Sequence, residues 1–165
     1  MEVEKPKGNV QYVGTSIPFA KEILECAGLK KDQILVDLGC GEGEVLIAGA
    51  KFFGAIGFGI EIEDFRIKKA KMKAAFHGVH DRLKFFKGSV LDENIWKSES
   101  KKFFVGNADI VFSFLYDQYN NYIEPKLLRV LKPGTRVISR LFTFKKMNLI
   151  YEGGTPDGKF YIYQI

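Results

Sequence analysis

Apolar residues along the chain change their spacing in a regular way. From Pro18 to Gly28 they recur at helical intervals, with Phe19, Ile23, Leu24 and Ala27 on one face. This predicts a first helix, PFAKEILECAGL, opened by Pro18, capped by Ser16 or Thr15 and stopped at Gly28. The next apolar run, ILVDL at Ile34–Leu38, is short and barely alternates, as expected of a parallel strand covered on both faces. The two signatures then take turns. EVLIAGAKFFG predicts a helix ended by Gly54, and AIGFGIE a strand from Ile56 to Ile60 or Glu61. DFRIKKAKMKAAFHG predicts a helix starting near Asp64 and closed by Gly78, with Ile67, Ala70, Lys71, Ala74 and Ala75 near one face. Leu83–Lys87 and residues 109–115 predict a third and a fourth strand. NNYIEPKLLRVLKPG predicts a helix stopped by Pro133-Gly134, and TRVISRLFTF begins a fifth strand. LIYEG and KFYIYQI flank the turn sequence TPDG and predict an antiparallel hairpin. Residues 1–17 read as irregular, and residues 97–106 as a polar, lysine-rich loop or helix end.

Strands alternating with helices predict an α/β fold with a mostly parallel twisted sheet and helices on both faces. The expectation is one domain over residues 1–165, with residues 1–33 supplying an N-terminal segment and the first helix. A ligand would then sit at the carboxyl ends of the central strands.

The segment VDLGCGEG is the most informative. Asp37 ends the first strand, and Gly39, Cys40, Gly41, Glu42 and Gly43 form a G-x-G-x-G turn into a helix. Small residues let a ligand approach the backbone, and unpaired amides at the helix start suit a carboxylate. Asp37 can meet an ammonium group. Glu61 closes the second strand, where an acid can accept both hydroxyls of a ribose, and Ile62 can pack on a base. Strand, acid, glycine turn, helix, strand and terminal acid together predict a nucleoside cofactor. Glu44 replaces the third glycine of a dinucleotide fingerprint, and Glu42 and Glu44 would repel a pyrophosphate. No GxxxxGK[ST] is present. An amino-acid-bearing nucleoside, S-adenosylmethionine, fits this loop better than a phosphate does.

Composition adds bounds. With 165 residues and 46% hydrophobic residues, the chain can build one core. Cys26 and Cys40 form no disulfide framework and are expected as reduced thiols of a cytoplasmic protein. The first ten residues lack the apolar stretch of a secretory signal, and no run is long enough to span a membrane. The net charge of +5 comes from lysines spread through the chain. It fits a solvated lysine-rich face, with weak, salt-sensitive attraction to nucleic acid as the functional alternative.

VDLGCGEG, GAIGFGIEIE and the KPG before the fifth strand resemble the class I, or seven-strand, methyltransferases over nearly the whole chain. QYVGTSIPFAKEIL, VHDRLKFFKGSV and PKLLRVLKPGTRVIS are similar to small archaeal protein-lysine methyltransferases. Those in turn resemble the mitochondrial family acting on the ring subunit of ATP synthase. The resemblance implies a Rossmann-like methyltransferase fold and transfer of a methyl group from S-adenosylmethionine to protein lysines, leaving S-adenosylhomocysteine, with no metal. It implies that Tyr12 and Thr15 close over the methionine part, that Asp37, Gly39, Cys40 and Gly41 hold its tail, and that Glu61 holds the ribose. Gly88, Ser89 and Val90 would lie at the adenine. Ser89 stands where many members carry an acid, which implies a weaker adenine contact there or one carried by backbone groups near Val90. The fourth strand ends Phe114-Leu115-Tyr116, without the N-P-P-[YF] pattern of enzymes acting on planar nitrogens, which argues against DNA bases. Phe114 would border the cofactor. Tyr116 would wall a lysine channel, with Tyr12 and Phe142 as further aromatic faces.

Expected partners are proteins with exposed lysines, including basic chromatin-type proteins, approached by a monomer away from membranes. Two other readings stay open: a methyltransferase for RNA or a small molecule, and a non-catalytic nucleic-acid-associated protein. His77 and His80 read as surface or capping residues, Trp96 as a plug at the edge of the core, and Asp117 as a helix cap or an aid to proton removal.

Overall fold

The computed structural model describes residues 3–8, 10–97 and 103–165. Much of the predicted 97–106 loop falls outside them; the part inside contains a short 3-10 turn at Val105–Asn107. Helix α1 is Ile17–Cys26, and Ser16 caps it by accepting a bond from the Phe19 amide. Strands β1 (Ile34–Leu38), β2 (Ile56–Glu61) and β3 (Leu83–Lys87) are joined by helices α2 (Glu44–Phe53) and α3 (Asp64–Phe76). After these come β4 (Ile110–Ser113), α4 (Asp117–Val130), β5 (Arg136–Arg140), β6 (Asn148–Thr155) and β7 (Gly158–Gln164).

All seven strands join one sheet in the order β3-β2-β1-β4-β5-β7-β6. β1 to β5 are parallel and β7 runs antiparallel to both its neighbours. The order reverses between β1 and β4, so a crevice opens there at the strand ends. The central strands are buried along nearly their whole length, which is why they read as continuous apolar runs. One core cluster packs α1 and α2 on one face of the sheet, and a second packs α4 on the other.

Departures from the predicted elements are local. Lys71 and Ala75 face solvent, and only Ile67, Ala70 and Ala74 of α3 are buried. Helix α4 starts a turn early at Asp117, tolerates Pro125 inside it and ends at Val130, short of Pro133-Gly134. The fourth strand stops at Ser113 and the fifth at Arg140. The latter has a backbone cause: Leu141 takes φ 63, and the Phe142 amide donates to the Arg140 carbonyl, 2.8 Å away. This is the rare three-residue turn with a positive central φ, a strained conformation for a branched side chain. The hairpin forms around Pro156-Asp157 as predicted. Among the described residues no helix is long and apolar enough to cross a membrane.

Candidate active site

The glycine turn after β1 is sewn to the end of β2. The Gly39 and Cys40 amides both donate to the Ile60 carbonyl at 2.9 Å, and Gly43 donates to Cys40. The Gly41 amide donates to Glu61 Oε2 at 2.9 Å. Thus the turn's own amides point into the protein. The amides expected to meet a carboxylate are those farther on, at the start of α2, which no side chain caps. Gly59 makes this close approach possible, because a Cβ there would run into the Cys40 side chain at 2.5 Å.

Glu61 is 5% exposed, and its second oxygen accepts from the Glu63 amide at 2.9 Å. Arg66 reaches the same oxygen at 3.7 Å. Two backbone donors therefore fix the carboxylate while lone pairs remain for hydroxyl groups. Asp37 lies beneath, 3% exposed, with no hydrogen bond to its carboxylate among the described residues. Burial, then the charges of Glu44 and Glu61, push its carboxyl well above the ordinary value. A carboxylate so placed can take a cationic partner. Burial likewise lifts the Cys40 thiol, helped by Asp37 and Glu61, so Cys40 is a small packing residue and not a thiolate nucleophile.

Glu42 and Glu44 are less repulsive than the sequence suggested. Glu42 pairs with Lys69 and Lys73 at 3.1 and 2.5 Å, and Glu44 with Lys73 at 2.7 Å. Burial alone would lower the Lys73 pKa, but these two carboxylates outweigh it and push it up to about 12.

The N-terminal segment crosses the mouth of the site. The Tyr12 ring covers Gly41 so closely that any Cβ there would overlap it. Arg66 stacks over that ring, 4.3 Å from its centroid. Tyr119 donates to the Gly8 carbonyl at 2.9 Å, and Arg140 donates to Gly14 and Thr15. Beneath the segment is a cavity of about 430 Å³, within the usual range for a small-molecule site. Of the residues singled out from the sequence, it brings together Tyr12, Thr15, Gly39, Cys40, Glu61, Ile62, Gly88, Ser89, Val90 and Phe114. Ile62 is 60% exposed, an apolar surface for a base to cover. The Ser89 hydroxyl accepts from the Leu91 amide at 3.1 Å, so its acceptor capacity is partly used in its own turn.

Asp37, Gly41 and Tyr116 do not line the cavity. Tyr116 and Phe142 pack edge to face, with centroids 5.2 Å apart, where β4 runs into α4 and β5 turns at Leu141. Below this pair Ser113, Asn120 and Ser139, all fully buried, form a hydrogen-bonded chain, and the Ser139 hydroxyl donates to the Phe142 carbonyl. The carboxylate of Glu124 holds the following loop through the amides of Lys146 and Met147. Asp117 is exposed in the first turn of α4. Sequence reading passed over Arg66, Tyr119, Asn120 and Arg140. Only Arg140 left a signal, a charge within the apolar run VISRLF.

The lining fits a nucleoside: a fixed carboxylate at the β2 end and apolar walls at Ile62 and Val90, with the buried acid Asp37 two residues before the lining Gly39. Comparison with known proteins agrees. Residues 37–150 match the ANTKMT methyltransferase domain. A protein-lysine N-methyltransferase from Saccharolobus islandicus (strain REY15A) is 34% identical over 162 residues, which is 95% of this chain and 94% of that protein. A Rattus norvegicus lysine N-methyltransferase, named for a subunit of the ATP synthase, is 32% identical over 67% of this chain and 46% of that protein. The crystal structure of an RNA methyltransferase from Salinibacter ruber, in complex with S-adenosyl-L-homocysteine, superimposes with a TM-score of 0.82 at 30% identity, covering 93% of this chain and 94% of the other.

Proposed function

This chain belongs to the ANTKMT methyltransferase family, and from that premise we propose that it transfers a methyl group from S-adenosylmethionine to lysine side chains of proteins. The observation that carries the cofactor is the pairing of the unpartnered Asp37 with the anchored Glu61 at the switch point of the sheet. The acceptor rests on the likeness to protein-lysine enzymes.

When bound, the cofactor supplies an electrophilic methyl group on a cationic sulfur. The protein's part is to hold, orient and dry. Asp37 takes the ammonium of the methionine end, and Tyr12 and Thr15 cover that end. Glu61 accepts the ribose hydroxyls, while Ile62, Val90 and the backbone near Gly88 and Ser89 receive the adenine. A lysine must arrive neutral. Its reference pKa of about 10.4 makes that cost roughly 4–5 kcal/mol at pH 7. Aromatic walls at Phe114, Tyr116 and Phe142 lower the cost by desolvating the ammonium, and the nearby sulfonium adds like-charge repulsion. Orientation of the neutral nitrogen towards the methyl carbon then supplies much of the rate. The proton can leave to water, with Asp117 at the rim as an acceptor.

The finer reading is a monomeric, cytoplasmic enzyme acting on exposed lysines of basic, chromatin-type proteins. Val13 and Leu141, exposed apolar residues on the N-terminal segment and the β5 turn, support a large, surface-presented acceptor. RNA is the second reading, favoured by the Salinibacter ruber likeness and the net charge of +5. Incubation of a cell lysate with the protein and methyl-labelled cofactor separates them. Label should survive nuclease, disappear with protease and map to lysine by mass spectrometry. Label released by nuclease alone would overturn the lysine reading.

A further inference from the structure

We propose that Arg140 is a positioning residue that fastens the segment covering the cofactor to the tip of the C-terminal hairpin, so that the two order together. The proposal rests on the cofactor site described above.

Arg140 ends β5, and the residue is 7% exposed. It lies between the rings of Phe19 and Phe114, 4.9 and 4.5 Å from their centroids. One terminal nitrogen donates to the Gly14 carbonyl at 3.0 Å and to the Thr15 hydroxyl at 2.9 Å. The other donates to the Asp157 carbonyl at 2.8 Å. No carboxylate forms an ion pair with it among the described residues, and its Nε–H has no partner there. A buried cation without an acid is a costly way to fill space. Its bonds go to two loops from opposite ends of the chain, and a planar fork suits that bridging as an ammonium cannot. The hairpin is tied onward to the site. The Leu141 amide donates to the Lys159 carbonyl, and the strained turn at Leu141 delivers Phe142 against Tyr116. A cofactor held under Tyr12 and Thr15 therefore steadies Gly14 and Thr15, and Arg140 passes that order to residues 155–158 and the aromatic pair.

The test is amide hydrogen exchange of the whole chain with and without S-adenosylhomocysteine, together with calorimetric Kd values. In the wild type the ligand should slow exchange in residues 10–15, 39–43 and 155–158. Arg140→Met should weaken binding about tenfold and abolish the effect at 155–158 while keeping it at 39–43. Arg140→Lys, which retains charge but not the fork, should restore binding only in part. Should Arg140→Met not fold, Thr15→Val decides, with a reduced ligand effect at 155–158. Hairpin protection that persists in Arg140→Met, or in full in Thr15→Val, overturns the coupling. So does a wild type that protects 10–15 and not 155–158. A wild type that does not bind S-adenosylhomocysteine overturns the cofactor site itself, and the coupling falls with it.

Discussion

On the function proposed above, the two halves of the sheet prepare for two different cations by opposite means. Around β1 and β2 the site is built of carboxylates, with Glu44 and Glu61 close enough to add to the effect of burial in raising the proton affinity of Asp37. Around β4 and β5 the buried polar groups next to the aromatic pair are neutral, Ser113, Asn120 and Ser139, and they support rings. An acid beside the acceptor amine would stabilise its ammonium form and disarm it. Acids on the cofactor side do no such harm, because the group they meet stays charged throughout. On that reading the comparison teaches that buried carboxylates gather where a cation stays charged, while the polar groups bonded beneath the aromatic pair are neutral.

This contrast can be broken at its strongest point first. Asp37→Ala should weaken S-adenosylhomocysteine binding by about 100-fold, the order expected for removing one partner of a buried charged contact; calorimetry reads it directly. Tyr116→Ala should lower kcat/KM for a lysine substrate by about 30-fold with the cofactor Kd unchanged, and Tyr116→Phe by no more than about 3-fold, since the ring face does the work. Equal rates for both variants and the wild type would remove Tyr116 from the channel. Asn120→Leu should cost about 1–2 kcal/mol of unfolding free energy by stranding the buried Ser113 hydroxyl and taking from Ser139 the bond it accepts, and should affect acceptor KM more than cofactor affinity. Denaturant unfolding and steady-state kinetics measure the two effects.

The smallest effect sharpens the contrast through pH. Burial, with Glu44 and Glu61 behind it, lifts the Asp37 carboxyl above its ordinary 3.8. The folded chain therefore holds that proton more tightly than the unfolded chain does. Its stability falls as pH rises from 3.8 to the raised value and levels off beyond it. Asp37→Asn removes this loss, so the variant without ligand should melt a few degrees above the wild type at about pH 7 and level with it below 3.8. S-adenosylhomocysteine, bringing an ammonium, should narrow the gap at neutral pH.

Most of the fold was readable because burial and periodicity are local. ILVDL and AIGFGIE are covered on both faces and say so, and Gly54 and Gly78 mark real helix ends. Strand ends were less readable. Nothing in RLFTF announces that Leu141 takes a positive φ, which follows from its tie to Lys159 on another strand. The cofactor side of the site was legible for the same reason as the strands: Asp37, the glycine turn and Glu61 form one continuous strand-turn-helix-strand unit. The direction of the turn's amides was not, since it depends on the Ile60 carbonyl across the sheet. Arg66, Tyr119 and Arg140 escaped because each acts on the N-terminal segment from a remote part of the chain. Asn120 escaped because its partners Ser113 and Ser139 lie on two separate strands.

The three ties on the N-terminal segment, from Arg66, Tyr119 and Arg140, also bear on how fast the protein can work. That strip of chain covers the cavity, so the contacts that would keep water from a bound nucleoside would also hold its way out shut. A loosened strip is expected to trade tight holding for quicker release, which pre-steady-state kinetics of a strip variant would read.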